Sequence, residues 1–246
     1  MLPPDPTADR YIYLNGSTAQ IQFTGGAANL CDWGKSWSLG ISLEGLADVP
    51  GDLNKNLVLF ASGGTSICLK RGGAPDGSTN WGLQVTCAND LYNAANRITA
   101  NTWASPTATS RLLFVFAADQ KKLDYWLGEP GGAYAKKSST SVPDAFIAAQ
   151  ILGDEFYISR PFTRVGGANF SGFRWGPGGV KNFVAAQVAL GTIDIQTFFE
   201  TTGSLIETDL YAKLSSFCAL GTDPIQPSGR PQEPAYKRAA SRRSGC

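Results

Sequence analysis

The chain contains no histidine, and this restricts what its other reactive side chains can do. Without imidazole there is no Ser-His-Asp or Cys-His nucleophile system and no histidine-held zinc or copper. The commonest general acid or base near neutrality is missing as well. Carboxylate chemistry and oxygen-ligated cations remain open. Yet the acids are scattered: Asp124 falls in a strand pattern, and Asp154 and Glu155 enter another, with no convergent pair. Asp76-Gly77-Ser78 reads as a turn, and no Asp/Asn cluster has calcium spacing. No catalytic residue, metal ligand or cofactor is therefore assigned. The tryptophans are more informative. Trp33 beside Asp32, Trp81 beside Asn80, Trp103 beside Asn101, and Trp175 in Phe173-Arg174-Trp175-Gly176 are loop-like aromatics. An indole with amide or carboxylate neighbours suits stacking on a sugar ring, and these four are the candidate ligand-binding residues. The alternative for each is that it fills the rim of a core.

The elements that must hold these residues are β-strands. Trp37, Leu39, Ile41 and Leu43 alternate with Ser38, Gly40, Ser42 and Glu44, the period of a strand with one buried face. Similar runs recur at Tyr11–Leu14, Ala19–Phe23, Asn56–Ala61, Ser66–Lys70, Trp81–Thr86, Arg111–Ala117, Lys122–Leu127, Glu155–Ser159 and Phe183–Ala189. Gly25-Gly26, Gly63-Gly64, Gly72-Gly73 and Pro130-Gly131-Gly132 punctuate them, and Ala118–Lys121 reads as a hairpin turn. Short strands with glycine-rich turns predict an all-β, two-sheet sandwich or jelly roll over residues 7–221. Of the 246 residues, 43% are hydrophobic, enough for a sizeable core.

One helix is expected near the end. Ser204 to Glu207 forms a capping box, Ile206, Leu210, Leu214 and Phe217 make an apolar stripe, and Gly221 is a natural stop. Packing on its own sandwich is favoured over docking on a partner. Composition then shifts. Residues 222–246 hold Pro224, Pro227, Pro231 and Pro234, with five basic residues against two acids. Such a segment cannot bury enough surface to fold alone. It is expected to act as an extended arm, with Arg230, Tyr236, Lys237, Arg238, Arg242 and Arg243 as contacts, laid across a neighbouring subunit or folded back on its own domain. Pro3, Pro4 and Pro6 mark a second arm at residues 1–6. The net charge of +1 and the few basic residues argue against nucleic acid as partner. Homo-oligomerisation stays open.

The start lacks the basic and apolar regions of a signal peptide, and the longest apolar run, Leu112–Ala118, is far short of a membrane span. Five cysteines without a CxxC spacing leave at least one free thiol. Synthesis in a reducing cytoplasm is expected, with no membrane insertion.

The segment order resembles a concanavalin A-like, laminin-G-like jelly roll. The resemblance rests on Tyr13-Leu14-Asn15-Gly16, on Trp37–Leu43, on Asn56–Gly64, on Trp81–Val85, on the hairpin Leu112–Leu127 and on the stretch Gly172–Phe199. It covers roughly residues 10–200. It implies an antiparallel two-sheet sandwich with one or two short C-terminal helices. Members bind carbohydrate or protein, and some are glycosidases. The glucanase branch carries Glu-x-Asp-x-Glu, and the nearest string here is Thr192-Ile193-Asp194-Ile195-Gln196, with both glutamate positions replaced. Retaining hydrolysis needs two carboxyls about 5–5.5 Å apart, so the chain is read as non-enzymatic. Bacteriophage virions often use such domains. The first functional reading is therefore a virion protein, a capsid decoration or tail/fibre accessory, joined to other subunits through residues 222–246. The second is a lectin-like adhesin recognising host-surface glycans.

Overall fold

A computed structural model of the chain describes residues 12–14, 21–23, 30–44, 56–71, 81–87, 97–99, 109–129, 131–153, 156–158, 172–174, 178–202, 205, 208–214, 216–218 and 236–238. Among them, seven strands make one sheet, in the order β1 (Ile12–Leu14), β13 (Gly178–Ala186), β3 (Trp37–Glu44), β8 (Thr109–Ala117), β9 (Lys122–Gly128) and β10 (Tyr134–Ser141), with β14 (Ser216–Cys218) also on β13. Eight make the other, in the order β15 (Tyr236–Arg238), β2 (Ile21–Phe23), β11 (Phe156–Ile158), β4 (Asn56–Ser62), β5 (Thr65–Arg71), β6 (Trp81–Thr86) and β7 (Arg97–Thr99). β12 (Gly172–Arg174) runs parallel to β4, and every other pairing is antiparallel. This is the jelly-roll sandwich that the alternation predicts.

The strict period of two sends Leu39 and Ile41, Leu112, Phe114 and Phe116, and Leu123 and Tyr125 inward from one sheet. Phe60, Ile67, Leu83, Val85, Phe156 and Ile158 meet them from the other. Phe60 joins the layers, with ring centroids 5.9 Å from Phe114, 5.7 Å from Phe156 and 5.9 Å from Phe183. Three cysteines, Cys31, Cys68 and Cys87, are buried free thiols, as expected for small core residues.

Turn chemistry closes the strands where the glycines stand. Gly63 adopts φ +54° between β4 and β5, and Gly64 N donates to Ile151 O at 2.9 Å. A Cβ on Gly63 would meet Gly153 N at 2.6 Å, so the two backbones touch where side chains cannot fit. The Ala118–Lys121 hairpin forms as predicted, with Lys121 at φ +47°.

Three helices are described: α1 (Asp144–Ala148), α2 (Thr192–Glu200) and α3 (Asp209–Lys213). Of the stripe expected from Ile206 to Phe217, α3 carries Leu210, while Ser204, Ile206, Glu207 and Gly221 lie outside the described residues. Leu210 is buried, but Phe217 leaves the helix for β14, opposite Val184. Backbone pairing with β13 overrides the helical period there. The predicted packing on the chain's own sandwich holds: Leu210 and α2 share one apolar layer on the outer face of the seven-stranded sheet. β10 escapes the sequence pattern because its Tyr-Ala-Lys-Lys-Ser-Ser-Thr-Ser is an edge strand with mostly exposed side chains.

Candidate binding surface

The outer face of the seven-stranded sheet is organised in three cross-strand rows. Ala186, Ser38, Val115, Asp124 and Ser139 form the first; Val184, Gly40, Leu113, Trp126 and Lys136 the second; Lys181, Ser42, Arg111, Gly128 and Tyr134 the third. α2 lies over the part of this face near β3 and β8, burying Ile195, Phe198 and Phe199 against Leu113, Val115, Val184 and Ala186. Gly40 is the floor of that contact, since a Cβ there would meet Val184 at 2.7 Å and Phe198 at 2.9 Å. The helix start is held by Asp194, whose Oδ2 accepts from Gly191 N at 3.2 Å and whose Oδ1 accepts from Lys213 at 2.6 Å. Both carboxylate oxygens of that residue are thereby engaged in holding the fold. The Thr192–Gln196 string is helix, not a catalytic strand.

Toward the sheet edge, the rows emerge from under the helix as a patch of different chemistry. Trp126 and Tyr134 are partly buried against the helix layer, with Tyr134 stacked on Phe199 at 4.9 Å and 4°. Trp126 and Tyr134 ring centroids lie 6.2 Å apart. The Lys136 ammonium sits 5.3 Å from the centre of the Trp126 ring and 3.0 Å from Asp124 Oδ2. Ser139 Oγ donates to Asp124 Oδ1. An indole, a phenol, an ammonium, a carboxylate and a hydroxyl thus converge on one stretch of β9–β10. The signal for it is in the sequence: in Lys122–Gly128, Leu123, Tyr125 and Leu127 take the core face, which leaves Asp124 and Trp126 together on the other. Sequence reasoning passed over Trp126 because it sought tryptophans in loops.

On the outer face of the eight-stranded sheet the described side chains at the centre are buried, with Ala61, Cys68 and Tyr157 forming a small apolar cluster. Lys237, Gln22, Tyr157, Ala61, Ser66, Thr86 and Arg97 fall in one register row. Ser66 and Thr86 share a hydrogen bond of 2.8 Å, and both are fully buried. Arg97 and Thr99 are exposed at the far end.

Of the four tryptophans expected to stack on a ligand, the structure corrects one. Trp33 is 1% exposed, packed edge-on against Trp37, Phe116 and Phe146 at 5.0, 4.9 and 5.0 Å. Its indole N–H donates to Thr65 Oγ1 at 3.3 Å, and its backbone N–H to Gln150 Oε1 at 2.9 Å. The neighbouring Asp32 accepts from Gly34 N at 2.8 Å, so this pair builds a corner of the core and not a sugar platform. Trp81 opens β6. Trp103 and Trp175 lie outside the described residues, as do Arg230, Arg242 and Arg243. Tyr236, Lys237 and Arg238 form β15, the outermost strand beside β2 on the chain's own sheet.

No family model matches the chain, and no curated protein matches it. Solved structures do. The CBM40 of Ruminococcus gnavus IT-sialidase has a TM-score of 0.52 at 12% identity, over 77% of this chain and 96% of that one. The same CBM40 bound to α2,3-sialyllactose gives 0.51 at 11% identity over the same shares. A Bacteroides ovatus protein described as carbohydrate binding gives 0.51 at 14% identity, over 90% of this chain and 54% of that one. At such identities the likeness concerns the fold, and it agrees with the jelly-roll resemblance.

Proposed function

We propose that this protein is a non-catalytic carbohydrate-binding domain, and that the β9–β10 patch takes the sugar. The observation that carries the reading is the convergence of Trp126, Tyr134, Lys136, Asp124 and Ser139 at one sheet edge. A pyranose offers an apolar face and a rim of hydroxyls. The indole and phenol supply area for the face, and Asp124 and Lys136 supply an acceptor and a donor for the rim. The CBM40 and Bacteroides ovatus likenesses support the reading, since the first is seen bound to α2,3-sialyllactose and the second is described as carbohydrate binding.

A glycan array tests it. The wild-type chain is expected to retain a subset of saccharides, and Trp126→Ala to lose them by at least about tenfold, the worth of one stacked ring. A folded wild-type chain that retains none, or a Trp126→Ala chain that binds equally, overturns it.

A second reading, attachment to a larger assembly such as a phage particle, is favoured by the composition of residues 222–246. Four prolines and a net +3 suit an extended strap better than a packed element. Deleting residues 222–246 is then expected to abolish incorporation into the parent assembly while leaving the sandwich folded. Normal incorporation of that truncation removes the reading.

A further inference from the structure

The third row of the outer face holds a cluster that neither the fold nor the β9–β10 patch uses fully. Arg111 and Ser42 are direct register partners on β8 and β3, and each is only 3% exposed. Such partners stand about 5 Å apart at Cβ. One arm of the guanidinium is employed: Nη1 donates to the carbonyl oxygens of Phe198 and Phe199 in the last turn of α2, and the guanidinium carbon lies 5.8 Å from the Phe198 ring centre. Its Nε is not employed. Arg111 Nε and Ser42 Oγ are both buried and, among the described residues, have no hydrogen-bond partner. No described carboxylate pairs with Arg111. Phe198 covers the preceding row at Gly40, and Ser42 comes one row further along.

Native interiors rarely leave two neighbouring polar groups unpaired, and an unpaired N–H of a charged guanidinium is costlier still. What is missing has the chemistry of an oxyanion. We infer that Arg111 and Ser42 form a binding site for one oxyanion group, a carboxylate or a sulfate. The fork geometry of arginine suits a two-oxygen acceptor, and the Ser42 hydroxyl adds a donor beside it. The guanidinium carries a full charge, which outweighs the roughly half-unit negative end of α2 that it also touches. Lys181, the register partner of Ser42 on β13, is the second basic residue of the same row. The inference is independent of the glycan reading, because its donors are not those of the β9–β10 patch.

The test is thermal unfolding of the full chain titrated with sodium sulfate, sodium chloride holding ionic strength constant. Wild type is expected to show a saturable rise in Tm, about 3 °C at ten times Kd. Ser42→Ala keeps both Arg111 bonds to α2, so it should fold and lose the saturable rise. Arg111→Lys should lose it as well. A parallel titration compares a glucuronide with its neutral glucoside. Response to the glucuronide alone makes a saccharide acid the natural source, and response to sulfate alone makes it a free ion. A rise that never saturates and is equal in wild type and Ser42→Ala overturns the site. So does a saturable rise seen only in Glu44→Gln, since Glu44 lies two residues along the same face of β3 and would then be the native occupant.

Discussion

At the scale of single residues, burial decides which side chains are available for chemistry. Trp33 sits beside an aspartate in a loop-like stretch, and neighbours in sequence cannot reveal that three aromatic rings enclose it. Trp33→Ala is therefore expected to cost about 4 kcal/mol of stability, read by denaturant unfolding, and to leave any sugar affinity of the folded fraction unchanged. Trp126 is the reverse case: its alternation with Leu123, Tyr125 and Leu127 was legible, but its company was not. Lys136 reaches it, and Ser139 reaches Asp124 on the same face, from a strand that carries no apolar pattern. The thiols follow the same rule. Burial pushes Cys68 up to about 12 and Cys87 up to about 11, and it raises Cys31 further. The protonated form is thus favoured at neutrality, and the thiolate is the reactive species. Alkylation at pH 8, mapped by peptide mass spectrometry, should spare these three in the native chain and modify them once it is unfolded. Fast native labelling of Cys68 would contradict its placement.

At the scale of elements, short helices survive by what they are tied to. α2 has nine residues, too few for stability in isolation. Asp194 secures its first turn and Arg111 its last. Asp194→Ala should cost about 1 kcal/mol, as the loss of a cap does, again by denaturant unfolding. Phe217 departs from the helical period of Leu210 and Leu214 for a related reason: β13 offers backbone partners to Ser216–Cys218 that a helix would leave unused. At the β4–β5 turn, Gly63 at φ +54° and Gly153 leave no room for a methyl group. Gly153→Ala should destabilise by about 3 kcal/mol, since Gly63 backbone atoms would lie 2.4 and 2.5 Å from the new Cβ.

At the scale of the whole molecule, the alternation of Trp37–Leu43 and its repeats carried the two-sheet architecture almost unaided. Each of the ten strand patterns read in the sequence overlaps a described strand, because strands with one buried face declare themselves. The strands that pattern missed, β7, β10, β12, β14 and β15, are short or lie at edges, where the core imposes no period. The site was less legible than the fold, because it is assembled by register across β9 and β10 and not by any local string. Architecture leaves open what a sandwich binds; the side chains at one edge carry that reading. The most direct check is an NMR titration of the full chain with a saccharide retained on the array. The account predicts saturable shifts centred on the Trp126 indole and on the amides of Asp124, Lys136 and Ser139, with the saccharide recovered intact. Shifts centred instead on Arg97 and Thr99 at the opposite sheet, or a cleaved saccharide, would contradict it.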